Sequence, residues 1–86
     1  MEKLLKVKDI LERKVAKNRE DIQSSVQEIA KMERQILSPD ITVRKYQSLK
    51  AGIRANEKRF NEATTHNNVL TTVLYIIDNV LNEKEE

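Results

Sequence analysis

The sequence predicts an all-α fold: an antiparallel helical hairpin of coiled-coil character, paired with a second copy into a four-helix bundle. Three observations carry that expectation. Apolar residues recur at alternating steps of three and four on either side of a short break, the spacing of a helical seam. A single Gly and a single Pro in 86 residues cannot supply the repeated tight turns of a sandwich or barrel. The only Pro, Pro39, stands at the break between the two periodic segments.

The first helix is expected over residues 2–37. Val15, Ile22, Ile29 and Ile36 take heptad position a, while Leu4, Leu11, Asn18, Ser25 and Met32 take d. A turn over 37–41, Leu37-Ser38-Pro39-Asp40-Ile41, follows. Ser38 suits an N-cap and Pro39 a first helical position, because the N–H that Pro lacks would have no helical partner there. The second helix is therefore expected over 39–83, with Tyr46, Ile53, Phe60, Asn67, Leu74 and Leu81 at a and Leu49, Asn56, Ala63, Leu70 and Ile77 at d. Together these make one helical-hairpin domain over 1–86.

A five-residue connection makes the helices antiparallel neighbours. A register set by that loop alone opposes Met32 to Tyr46, Ile29 to Leu49, Ser25 to Ile53, Asn18 to Phe60, Leu11 to Asn67 and Leu4 to Leu74. It also brings Asp21 near Arg59 and Arg19 near Glu57. Thr64-Thr65-His66-Asn67-Asn68 is the weakest helical stretch, each residue costing roughly half a kcal/mol against Ala. A third short helix from about residue 69 is the alternative; the unbroken heptad phase favours one continuous helix. Asn18, Asn56 and Asn67 fall in the seam opposite apolar residues. They either line a solvated crevice or bond across an oligomer interface.

The functional reading starts from surplus apolar surface. Outside a and d the open end of the hairpin carries Leu5, Val7 and Ile10 on the first helix and Val69, Val73, Ile76 and Val80 on the second. One neighbouring helix cannot cover them all. These seven residues form the candidate self-association or partner surface, and a homodimer or higher homo-oligomer is the simplest cover; a different protein is the next. A membrane surface is disfavoured, since the run contains Asp78 and is followed by Glu83, Glu85 and Glu86 rather than flanked by Lys, Arg and Trp.

Other chemistries find little footing. Three aromatics cannot wall a deep pocket, so an enzyme is not expected. With no Cys and a lone His66, placed beside the seam near Lys14, no metal or cofactor site is expected. Lys and Arg number 16 against 14 Asp and Glu, a balance with no strong pull on nucleic acid. The one uneven stretch supplies Arg44, Arg54 and Lys58 as outward-pointing phosphate-binding candidates, the basis of an alternative reading as a nucleic-acid-binding oligomer. No apolar window is long enough for a signal or spanning segment, which leads to a cytoplasmic expectation. The small hairpin secretion substrates carry a Trp-x-Gly turn where this chain has Leu37-Ser38-Pro39-Asp40, and no family resemblance is drawn. The leading function is a non-catalytic adaptor, scaffold or regulator acting through the open end.

Overall fold

A computed structural model describes the backbone of residues 2–85 and the side chains of residues 2–83. The described residues form two helices, α1 (Glu2–Ile36) and α2 (Val43–Glu85). They pack against each other along a molecule measuring 66 × 17 × 14 Å. α2 continues unbroken through residues 64–68, so no third helix separates at residue 69. Its weak stretch is tied down locally and across the hairpin. Thr71 and Thr72 donate their hydroxyls to the carbonyls of Asn67 (2.8 Å) and Asn68 (2.9 Å), and Asn67 itself is bonded to α1. Tertiary contacts outweigh propensity here.

The link between the helices differs from the expected one. Ser38 and Pro39 do not start α2. The Ile41 N–H donates to the Ser38 carbonyl at 3.3 Å, closing a β-turn with Pro39 and Asp40 at its centre. Proline's fixed φ suits the second residue of such a turn as well as it suits a first helical position. The cap is Thr42 instead: its hydroxyl accepts from the Lys45 N–H at 3.1 Å, and its carbonyl accepts the first helical bond, from the Tyr46 N–H, at 2.9 Å. The connection thus covers 37–42, and α2 begins four residues later than the Ser-Pro pair suggests.

The heptad phase of both helices survives, but their register is displaced by one heptad. Asn18 bonds Asn67 rather than facing Phe60, Met32 lies over Gly52, and Lys8 reaches Asp78. Continued along both seams, the Asn18–Asn67 pairing opposes Leu4 to Leu81, Leu11 to Leu74, Val15 to Leu70, Ser25 to Phe60, Met32 to Ile53 and Ile36 to Leu49. The first turn of α2 therefore overhangs the end of α1. Tyr46 lies exposed there with the Lys50 ammonium 6.0 Å from its ring centre, instead of packing on Met32. Of the two expected charge pairs, Asp21–Arg59 forms at 3.9 Å and Arg19–Glu57 does not.

The reason for the displacement is polar. In the loop-set register two seam amides would face Phe60 and Leu11, and an unpaired buried amide costs about 1–3 kcal/mol. The displaced register joins them. Asn67 Nδ2 donates to the Val15 carbonyl at 3.3 Å, which leaves Asn67 Oδ1 to accept from Asn18 Nδ2 at 2.9 Å. A carbonyl can only accept, so this chain of bonds fixes the orientation of both amides. Asn56 is satisfied within α2, donating to the Gly52 carbonyl and accepting from Arg59. None of the three waits for a partner chain.

Size complementarity agrees with the same register. Ser25 is wholly buried and donates its hydroxyl to the Asp21 carbonyl at 2.8 Å, and the register sets this small residue level with Phe60. Gly52 lies so close to Met32 that a Cβ there would stand 2.9 Å from the thioether. Large side chains meet small ones, as close packing requires. In a double-mutant cycle of Asn18→Ala and Asn67→Ala, read by chemical denaturation, we expect a coupling of about 0.5–2 kcal/mol. Additive single effects would show that the pair does not hold the register.

Candidate self-association surface

The open end is built from the seam outwards. Asp21 and Arg59 pair across one flank of the seam, and on the same flank Asn18 Nδ2 lies 3.1 Å from His66 Nδ1. That amide can only donate, so the contact is a hydrogen bond when Nδ1 is the accepting nitrogen. Arg59 and His66 stand seven residues apart on α2, and the same row continues to Val73 and Val80. On α1 the row of Asp21 runs back through Lys14 to Val7. Val69 and Ile76 lie just outside the α2 row, and Ile10 just outside the α1 row.

Six of the seven predicted residues therefore share one face of the hairpin: Val7, Ile10, Val69, Val73, Ile76 and Val80. All six are exposed, from 36% for Val80 to 58% for Val69. At 100° per residue the four α2 side chains fall within roughly 60° of one another and about 110° from the seam that packs on α1. α2 thus has two apolar stripes in its second half, one occupied and one open. Towards the loop the same face turns polar at Asp21, Arg59, Glu62 and His66, which surround a shallow notch beside Asn18.

Leu5 does not belong to this face. It precedes Glu12 by seven residues, and Glu12 and Asp78 approach Lys8 from the opposite flank, at 3.9 and 2.7 Å. Leu5 and Tyr75 are exposed on that side. Sequence reading passed over the Lys8–Asp78 pair. The signal was the heptad phase, which places Lys8 at a seam position where the loop-set register offered no acid. Asp78 holds the Lys8 ammonium above its usual range, first through the direct hydrogen bond and then through charge, with burial opposing and Glu12 assisting.

Arg44, Arg54 and Lys58 are exposed on α2, turned away from the seam. They do not form one cluster: Arg44 and Arg54 are about 15 Å apart along the axis at 1.5 Å per residue, and Lys58 lies 4.0 Å from Glu62. Among the described residues no group of three or more His, Cys, Asp or Glu could hold a metal ion, and no helix is long and apolar enough to cross a membrane.

A raised ammonium contributes stability below its unfolded value, here 10.5, and that contribution disappears as pH climbs through the higher folded value. Denaturation of Asp78→Asn beside the parent chain should show the parent's advantage intact at pH 8 and gone well above 10.5. Because both groups are partly exposed, the advantage should also shrink in 1 M salt. An advantage independent of pH and salt would contradict the pairing. Among known families, curated proteins and solved structures, none matches the chain.

Proposed function

We propose that the chain is a non-catalytic protein–protein interaction module, a helical hairpin that associates with a second copy through its open end and forms a four-helix bundle. In that form it serves as a small cytoplasmic adaptor, scaffold or regulator. The observation that carries this reading is the second apolar stripe of α2, Val69, Val73, Ile76 and Val80, extended across the hairpin by Val7 and Ile10 and left open by α1. Helices in a four-helix bundle need two such stripes about a quarter turn apart, one for each neighbour. A solitary hairpin needs only one.

Magnitudes favour a modest affinity. Each of these side chains is about half exposed, so covering it is worth roughly 1 kcal/mol. Twelve across a pair of hairpins gives about 12 kcal/mol gross, which has to exceed an association cost of about 4–15 kcal/mol. At the low end of that cost the net gain is about 8 kcal/mol, which corresponds to assembly in the micromolar range. It also fits the slender hairpin, since a chain of this size with a single-layer core is marginal alone.

Sedimentation and thermal melting over a concentration series test the reading. The parent chain should sediment as a dimer or larger species at tens of micromolar and melt higher as concentration rises. Val73→Asp with Ile76→Asp should sediment as the single chain, and Leu5→Asp, on the other flank, should leave assembly unchanged. A folded parent monomer throughout the series would overturn the proposal.

A further inference from the structure

We infer that the second copy docks with its loop at the same end, so that α1 of each hairpin lies along α2 of the other. The inference rests on the self-association reading above and adds its geometry. Two face-to-face arrangements obey twofold symmetry. With the axis along the bundle, loops share an end and α1 meets α2 of the second copy. With the axis across the bundle, loops lie at opposite ends and each helix meets its own counterpart.

The first arrangement has no freedom to slide. Every α1 residue meets α2 of the second copy at the level of its own intramolecular neighbour, a level fixed by Asn18–Asn67. Val7 comes level with Val80 and Ile10 with Ile76. The charges on the same face then meet opposites: Lys3 with Glu83, and Glu28 with Arg59. Asp21 meets the His66 ring at the edge turned away from Asn18. The one like-charged approach is Asp21 with Glu62, beside which Arg59 and His66 also stand. Lys14 and Lys17 fall beside Val73 and Val69, where their methylene stems can cover the valines while the ammonium groups reach water. Nearer the loop, the small Ser48 and Ala55 occupy the facing row of α2 and leave room for Lys31 of the second copy.

The second arrangement serves α2 well and α1 badly. Centred between Val73 and Ile76, it pairs Val69 with Val80 and Val73 with Ile76 of the second copy. The same operation lays α1 on α1, which brings Lys3 to Lys17 and Val7 to Lys14, and like charges facing each other at close range oppose association. It also leaves the loop half of the face uncovered. Charge complementarity along the whole face therefore selects the same-end arrangement.

The chain has no Cys, so a single label site is clean. Asp40→Cys, in the exposed turn, carries a spin label, and the distance between labels is read by double electron–electron resonance in samples that sediment as a dimer. The same-end bundle predicts a mean distance below about 40 Å, given interaxial spacings of about 8–10 Å. The opposite-end arrangement puts the labels about 80 Å apart at 1.5 Å rise per residue. In a dimer, a mean distance beyond about 40 Å overturns this inference and leaves self-association standing. A monomer by sedimentation overturns both. As a second reading, Lys3→Glu should weaken assembly at least threefold and Lys3→Glu with Glu83→Lys should restore it; an unchanged dimer constant for the single variant would contradict the facing of these two side chains.

Discussion

The structure turns on one short chain of hydrogen bonds. Asn67 donates an amide proton to the Val15 carbonyl and accepts one from Asn18 at its oxygen, and so fixes how far α2 slides along α1. Aliphatic seams are tolerant of a slip by seven residues, because each heptad presents much the same surface to its neighbour. An amide pair is not tolerant, since a slip leaves both members buried without partners. The remaining features follow from this register. It places Gly52 against Met32, joins Lys8 to Asp78, and leaves Tyr46 beyond the end of the seam.

Much of the fold was legible in the residues because it is periodic. The heptad phases of α1 and α2, their antiparallel pairing and the continuity of α2 through Thr64 and Asn68 all come from spacing that only a helix satisfies. Two things were not legible. Ser38-Pro39 is equally good as a helix start and as the beginning of a β-turn, and only the later cap at Thr42 separates these. The register then could not be counted from the loop, because the first turn of α2 overhangs α1. The polar residues held the answer: Asn18 and Asn67 read as odd members of an apolar seam when taken singly, and as a register lock when taken together.

The open end shows the same division. Each of its surplus apolar residues could be named from sequence, since none occupies a seam position. Which flank each would take depended on pairing. Val7 and Ile10 join the α2 stripe because Asp21 and Arg59 define that flank, whereas Leu5 falls with Lys8 and Asp78. A row that begins polar at Arg59 and His66 and ends apolar at Val73 and Val80 gives the face a direction along the hairpin.

One hairpin covers its own seam, and we propose that another chain covers the apolar face that it leaves exposed. Methyl-resolved nuclear magnetic resonance across a dilution series tests it residue by residue. The methyl signals of Val7, Ile10, Val69, Val73, Ile76 and Val80 should move together with concentration, while those of the seam residues Val15, Ile53 and Ile77 and of Leu5 hold still. Signals at the six that ignore dilution, or a response centred on Leu5 and the opposite flank, would contradict it.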